Sequence, residues 1–159
     1  PKEQKMNPMK YRTASVLAIC AVAVSSMVGC AHGIRAVVPT DVPKAIGPYS
    51  HGISAGHTVY VSGQLPIDPK TGALLKDASI EDQTRMVLSN IRTVLAAEGL
   101  TLANVVSTTV YMKDLNEFGK MNETYATFFP TTPPARATVQ VARLPRDVSV
   151  EIGAIAVRR

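Results

Sequence analysis

The chain of 159 residues is poor in cysteine and in aromatic side chains. It has two cysteines, no tryptophan and 5% aromatic residues. Both cysteines, Cys20 and Cys30, fall within the first thirty residues, so the remainder of the chain has no thiol for a disulfide, a nucleophile or a cysteine metal site. So few aromatic rings also argue against a broad base-stacking surface for single-stranded nucleic acid.

An excess of charge of one sign is also lacking outside the N-terminal segment. The net charge is +5, but residues 1–30 hold four basic residues against one acidic residue, and residues 31–159 hold 13 against 11. The larger part is therefore almost neutral and lacks the basic surface typical of a nucleic-acid-binding domain. With 46% hydrophobic and 18% charged residues, the composition excludes a disordered or coiled-coil chain and fits one globular domain.

Histidine is scarce as well, which bears on metal sites. The chain has His32, His51 and His57, and no carboxylate accompanies them at the spacing of a metal site. We also find no phosphate-binding loop, dinucleotide-binding fingerprint or nucleophile elbow. The sequence therefore gives no sign of a metal site or of a nucleotide site.

The N-terminal segment has the organisation of a bacterial export signal. Lys10 and Arg12 precede an uncharged apolar run that is too short for a membrane span of roughly 20 residues and suits a signal peptide. The run ends at Cys30, as in a lipoprotein signal. We therefore expect a leader over residues 1–30, lipidation at Cys30 and a periplasmic domain, anchored by that lipid to the outer membrane. The alternatives are cleavage near Ala31, an uncleaved anchor, or an unused leader and a cytoplasmic protein.

Beyond the leader, residues 31–42 show no hydrophobic periodicity and are expected to form a tether, and residues 43–159 show the patterns of one domain. Runs with strand character occupy residues 50–55, 58–62, 105–112, 135–142 and 148–157. A helix is predicted to begin at Ser79 with a capping pattern, followed by apolar residues at helical spacing. A second helix is predicted after Asp114 or Asn116. This order indicates an α+β domain with both helices on one face of a mixed sheet.

The last two predicted strands carry polar side chains at every second position. One face of the first strand carries Arg136, Thr138 and Gln140. One face of the second strand carries Ser149, Glu151 and Gly153. A short turn separates the strands, so we predict a hairpin, which brings Arg136 near Glu151 if the polar faces coincide. An arginine can bind a small carboxylate through two hydrogen bonds, and a glutamate can hold a water or move a proton. The alternative is a solvated ion pair between the strands, with no function.

Several separated motifs resemble the RidA family, also called YjgF. In chain order they are residues 45–50 (AIGPYS), 61–66 (VSGQLP), 104–110 (NVVSTTV), 122–125 (NETY), 134–136 (PAR), 141–145 (VARLP) and 151–157 (EIGAIAV). The resemblance covers nearly all of residues 43–159. It implies a chorismate-mutase-like fold and a homotrimer with three clefts between subunits. It also implies hydrolysis of 2-imino acids, such as 2-iminobutanoate and 2-iminopropanoate, to 2-oxo acids and ammonia, without a metal or an organic cofactor.

The resemblance also implies the roles of individual residues. Those that would line the substrate pocket are Tyr49, Ser62, Gly63, Asn122 and Arg136. Among them Arg136 would hold the carboxylate of the substrate, helped by the backbone of Gly63, and Glu151 would position or protonate the attacking water. Without the resemblance, Tyr49 is equally a core aromatic residue, Ser62 and Gly63 are the end of a strand, and Asn122 is bonded within its own helix.

The chain departs from the family pattern at three places. Gly153 stands where many relatives carry a second glutamate, Thr138 where they often carry cysteine, and residues 130–134 form a shorter, proline-rich connection. Gly153 removes a charge that is expected near Arg136 and so affects its orientation, Thr138 changes the shape of the pocket, and the connection borders the expected cleft and bears on substrate range. The alternative function is a non-catalytic trimer that binds small carboxylates or shields unfolded proteins. A third function, ribonuclease action, is disfavoured by the balanced charge and the lack of a candidate catalytic histidine.

Overall fold

The computed structural model describes residues 33–159, which form a six-stranded sheet with two α-helices on one face. In chain order the elements are β1 (Arg35–Val37), β2 (Gly52–Ala55), β3 (Thr58–Gln64), α1 (Ile80–Ala96), β4 (Val105–Met112), α2 (Phe118–Phe128), β5 (Ala135–Gln140) and β6 (Val150–Val157). The strand order is β1-β2-β3-β6-β4-β5. Strands β4 and β5 are parallel, and every other neighbouring pair is antiparallel. The predicted α+β mixed sheet is confirmed.

The first helix forms where the sequence pattern predicts it. Ser79 caps the helix, since its Oγ accepts a hydrogen bond from the Asp82 backbone N–H at 3.1 Å. The apolar residues at helical spacing are at most 2% exposed: Ile80, Val87, Leu88, Ile91, Val94 and Leu95. Gly99 has a φ of 68°, which costs glycine little and lets the chain leave the helix at the predicted place.

The core lies between the helices and one face of the sheet. Strand β6 turns every second residue toward this core, and these residues are at most 4% exposed: Val150, Ile152, Ala154 and Ala156. The intervening residues point to the opposite face, which carries Tyr60, Val139, Glu151 and Gly153 and which we call the open face. Tyr60 is 50% and Val139 43% exposed there, because no element covers this face within residues 33–159.

The predicted hairpin of the last two strands is wrong. Strand β6 lies between β3 and β4 in the middle of the sheet, and β5 pairs in parallel with β4 at the outer edge. Burial gives the physical reason. Half of the β6 side chains are fully enclosed, whereas no residue of β5 is buried, so β6 gains more from a central position and β5 loses least at an edge.

The predicted tether is also wrong in part, because residues 35–37 form the short edge strand β1. This strand pairs antiparallel with β2, and Val37 is 3% exposed against the core. One buried apolar side chain thus joins this segment to the domain. The predicted leader over residues 1–30 and the lipidation of Cys30 fall outside the described residues. Within residues 33–159 neither α-helix has the length and hydrophobicity to span a membrane.

A single buried carboxylate links the two ends of the domain. Glu98 follows α1 and has a side chain that is 2% exposed. Arg35 donates two hydrogen bonds to it, at 2.8 and 2.7 Å, and Arg158 forms a second ion pair with it. Arg158 also donates to the Gly56 carbonyl and to the Ser54 hydroxyl, both at 3.1 Å. The buried charge is thereby paired on two sides, as its removal from water requires.

Candidate active site

Four of the predicted site residues line one cavity of about 300 Å³, which we call the Glu151 cavity. Its lining residues are Ile46, Tyr49, Ser62, Gly63, Leu65, Pro145 and Glu151. The segment before β2, the end of β3 and the start of β6 supply the polar members. Tyr49 is 43% exposed, so the interpretation as a core aromatic residue is wrong. Strand β3 continues to Gln64, so Ser62 and Gly63 do not end it.

A β-bulge places Ser62 and Gly63 at this cavity. The register between β3 and β6 shifts between Val61 and Gln64, and such bulges commonly redirect a strand next to a functional site. The Ser62 hydroxyl donates to the Ser50 carbonyl at 2.7 Å, and the Ser62 backbone N–H donates to the His51 carbonyl at 3.0 Å. These bonds fix the segment that carries Tyr49 beside the bulge.

The Glu151 carboxyl lies directly against the backbone of Gly63. A Cβ atom built on Gly63 would overlap that carboxyl group and would lie 2.8 Å from its Cδ, so the close approach depends on glycine. Glu151 makes no ion pair with any residue that the structure describes. Burial raises the pKa of its carboxyl above the ordinary value, because removal from water disfavours the charged form. This carboxyl is therefore suited to proton transfer nearer to neutral pH than an exposed glutamate.

The remaining two predicted residues, Arg136 and Asn122, line a different cavity of about 380 Å³, the Arg136 cavity. Its other lining residues are Tyr125, Ala126, Phe129, Pro133 and Pro134. The Arg136 guanidinium carbon is 4.6 Å from the centroid of the Tyr125 ring and 5.6 Å from that of Phe118. No carboxylate within residues 33–159 forms an ion pair with Arg136. Its guanidinium N–H groups are therefore open to an anion from outside the chain.

Arg136 and Glu151 do not meet within one copy of the chain. Strand β4 separates their strands, and their side chains leave opposite faces of the sheet. Arg136 lies over the rings of α2 on the helical face, whereas Glu151 alternates with the buried residues of β6 and points to the open face. The expectation of neighbouring polar faces is wrong, and so is the alternative of an ion pair between these two residues in one copy.

Sequence reasoning missed the aromatic contacts of Arg136. Helical spacing places Phe118 and Tyr125 on one face of α2, and this pattern predicts core residues. Tyr125 is indeed 4% exposed, but Phe118 is 37% exposed and covers the arginine side chain instead. An aromatic residue that continues a helical apolar face beyond the core, next to a strand with a lone arginine, was the available signal. Within residues 33–159 no three histidine, aspartate or glutamate residues cluster as a metal site would require.

Comparison with known proteins shows what the chain is similar to. The family model described as Endoribonuclease L-PSP matches residues 39–158. A RutC family protein of Pyrococcus horikoshii is 54% identical over 116 residues, which are 73% of this chain and 91% of that protein. The 2-iminobutanoate/2-iminopropanoate deaminase of Salmonella typhimurium is 48% identical over 128 residues, 79% of this chain and 98% of that enzyme.

A solved structure shows the same fold. The crystal structure of Escherichia coli TdcF with bound serine superposes with a TM-score of 0.75 at 43% sequence identity, covering 79% of this chain and 99% of that one. The family match covers three quarters of the chain, and both relatives exceed 45% identity over most of their length. The chain therefore belongs to the Endoribonuclease L-PSP family, which is the RidA or YjgF family that its sequence motifs resemble.

Proposed function

We propose that this chain hydrolyses 2-imino acids, such as 2-iminobutanoate and 2-iminopropanoate, to 2-oxo acids and ammonia. The observation that carries the proposal is a pair of complementary groups, Arg136 and Glu151, that have no ion-pair partner within residues 33–159. Arg136 offers its guanidinium to an anion, and Glu151 holds a half-buried carboxyl whose pKa is raised by burial. Relatives named 2-iminobutanoate/2-iminopropanoate deaminase, at 48% and 45% identity, support the same substrate class.

The chemistry asks little of the protein beyond orientation. An imine carbon next to a carboxylate is already electrophilic, so a water held at the correct distance can attack it without strong activation. Arg136 binds the carboxylate and fixes the position of C2. The water oxygen then bonds to C2, one of its protons passes through Glu151 to the nitrogen, and the second follows as the C–N bond breaks. The products are the 2-oxo acid and ammonia, and Glu151 returns to its starting state.

We further propose that the complete site forms between copies of the chain in a homotrimer. Within one copy the Arg136 and Glu151 cavities lie apart. A complete site therefore needs Arg136 of one subunit and the Glu151 carboxyl of a neighbouring subunit. The open face supports assembly, because it exposes Tyr60 and Val139 in the middle and at the edge of the sheet, and such faces are commonly covered by another copy. The bound serine of TdcF also fits a site for a small amino-acid-like carboxylate.

A coupled assay tests the activity. An amino-acid oxidase generates the imine, and the purified protein is expected to accelerate the appearance of ammonia, whereas Arg136→Ala is not. Arg92→Ala, which removes an exposed arginine from α1, is the matched control and keeps the wild-type rate. Imine decay that is equally fast with and without the wild-type protein contradicts the proposed function.

Mixing of two inactive variants tests the shared site. Glu151→Gln keeps Arg136, and Arg136→Ala keeps Glu151, so neither forms a complete site alone. If the site joins two subunits, refolding an equal mixture should give about a quarter of the wild-type sites, because one of the four possible subunit pairings at each interface is intact. Light scattering should report a trimer for each preparation. A mixture with no more activity than its components contradicts a site shared between subunits.

A second candidate is a trimer that binds small carboxylates without turning them over. The open guanidinium of Arg136 favours it, since anion binding needs no contribution from Glu151. Calorimetric titration with 2-oxobutanoate separates the two candidates. Binding without any acceleration of imine decay supports the binding protein, and binding together with turnover supports the enzyme.

The description of the family model names a ribonuclease, and we do not extend that activity to this chain. Residues 31–159 carry 13 basic and 11 acidic side chains. A nucleic-acid substrate is recognised first through its phosphates, which requires a clear basic surplus on one surface. A net charge close to zero fits a small anionic substrate bound by one arginine better than it fits a polyanion.

For the leader, we propose export with lipidation at Cys30 and attachment to the outer membrane on its periplasmic side. The proposal is supported by the basic residues, the apolar run and the terminal cysteine of residues 1–30. Fractionation of cells that make the full chain or Cys30→Ala tests it. The wild-type chain is expected with the membranes and the variant in the soluble fraction. Equal solubility of the two would contradict lipidation.

A further inference from the structure

In the part of the chain that the structure describes, the Arg136 side chain contacts aromatic rings and donates no hydrogen bond. Arginines in folded domains are commonly oriented by a carboxylate, which then occupies the guanidinium edge. Here no residue within 33–159 accepts a hydrogen bond from Arg136. The contacts are to ring faces, with centroids at 4.6 Å for Tyr125 and 5.6 Å for Phe118. Ring faces attract the cation without using its N–H groups.

The Tyr125 ring is itself fixed in one orientation. Its hydroxyl lies 2.7 Å from the hydroxyl of Thr108, which is 2% exposed on β4. Thr108 is the register partner of Arg136 across the β4–β5 pair, so the residue that contacts the Tyr125 hydroxyl lies directly beside the arginine in the sheet. On its other side Tyr125 packs on Phe129, with centroids 4.8 Å apart. A swing of the side chain about χ1 would break the hydroxyl contact and the packing together, and the packing on Phe129 restricts the plane of the ring.

Phe118 has a different status from Tyr125. It begins α2 and is 37% exposed, so it adds little to the core. A partly exposed ring can still attract a cation that lies over its face, as Arg136 does here.

We propose that Tyr125 and Phe118 are positioning residues for the substrate-binding arginine, and we call the pair the aromatic seat. The seat fixes the plane of the Arg136 guanidinium and leaves its N–H edge free for a carboxylate. An acidic residue in the same place would compete with the substrate for that edge. The proposal rests on the proposed function only in taking a 2-oxo or 2-imino acid as the anion.

Calorimetric titration of the purified full chain with 2-oxobutanoate tests the seat directly. Phe118→Leu is expected to raise the Kd between about twofold and fivefold, the effect of losing one partly exposed cation–π contact. The KM for imine should rise by the same factor while kcat at saturation stays within experimental error, because the seat acts on binding. Phe118→Tyr retains a ring and should restore the wild-type Kd. The matched control is Leu115→Ala, which removes a 41% exposed apolar side chain just before α2 and should change neither value.

A double-mutant cycle separates positioning from a general effect on structure. In the Arg136→Ala background, Phe118→Leu should cause no further loss of binding, since the group that the ring orients is gone. Tyr125→Phe keeps the ring and loses the Thr108 contact, so it should weaken binding less than Tyr125→Leu does at equal melting temperature. An unchanged Kd for Phe118→Leu, or an equal loss in both backgrounds, would overturn the seat.

The outcomes also separate this proposal from the proposed function. A wild-type protein that binds 2-oxobutanoate in a Phe118-dependent manner, but does not accelerate imine decay, refutes the function and retains the seat. An active wild-type protein whose binding is insensitive to Phe118 refutes the seat and retains the function. A wild-type protein that binds no carboxylate at all refutes the seat.

Discussion

The Glu151 cavity and the Arg136 cavity place their charged groups in opposite surroundings. The first brings the Glu151 carboxyl into a half-buried place, and burial raises its pKa. The second keeps the Arg136 guanidinium partly exposed and in contact with two aromatic rings, so its N–H groups stay free of any acceptor within residues 33–159. Burial changes the pKa of Glu151, and partial exposure keeps the Arg136 N–H groups accessible to a carboxylate.

The sharpest test of this contrast removes the acid. Glu151→Gln keeps the shape of the side chain and loses the proton-transfer group, so we expect kcat to fall by about 100- to 10,000-fold. Binding of 2-oxobutanoate should stay near the wild-type value, since Arg136 is intact. Rapid-mixing kinetics under saturating imine measures the first effect and calorimetry the second. Glu81→Gln on α1 serves as the control and should be fully active; a fully active Glu151→Gln would remove Glu151 from the mechanism.

Removing the clamp should affect binding as well as turnover. Arg136→Ala leaves the substrate carboxylate without its partner at a cost on the order of 2–5 kcal/mol, which is a loss of roughly 30- to 5,000-fold in kcat/KM. Arg136→Lys should recover little, because an ammonium lacks the planar pair of donors. Steady-state kinetics and thermal melting are measured together. If Arg136→Ala is active and melts normally, the two cavities do not belong to one site.

A pair of glycine substitutions probes the backbone beside the acid. In Gly63→Ala the new methyl group overlaps the Glu151 carboxyl, which therefore has to move. We expect kcat to fall on the order of tenfold, the effect of a misplaced catalytic group. In Gly153→Ala the nearest atom to the new Cβ would be the Val61 carbonyl oxygen at 3.6 Å, which is ordinary contact, and activity should be retained. Equal kinetics of the two variants would show that the position of Glu151 against Gly63 is unimportant.

The smallest expected effect concerns stability and pH. Because burial raises the pKa of Glu151 in the folded protein, folding favours its protonated form. The resulting stability is present below the ordinary glutamate pKa and is lost as pH rises through the raised value. Glutamine at this position cannot titrate. As pH rises from the ordinary glutamate pKa through the raised pKa, the melting temperature of Glu151→Gln should therefore increase relative to that of the wild type. Melting curves of both proteins over a pH series measure this difference, and parallel curves would contradict the raised pKa.

Local sequence patterns predicted both α-helices and every strand except β1, but they did not predict which strands pair in the sheet. The cap at Ser79 and the buried face of α1 depend on residues a few positions apart, so the sequence carries them directly. Placing β6 in the centre and β5 at the edge depends on competition among all strands for the core. Alternation along β5 correctly grouped Arg136 with Thr138 and Gln140, but alternation carries no information about which face of the sheet a group occupies. The identities of the site residues came from motifs, and their division between two cavities came from the sheet.

The buried carboxylate of Glu98 holds the first and last strands of the domain close together. Arg35 lies in the first strand and Arg158 follows the last, and both contact this one group beside the β2–β3 turn. The two ends of the domain therefore emerge at a single place, at the end of β3 opposite to Gly63. Closely spaced ends are what circular permutation requires. A peptide linker can join residue 33 to residue 159, and new ends can open at the exposed turn around Gly72, far along the chain from both Arg136 and Glu151.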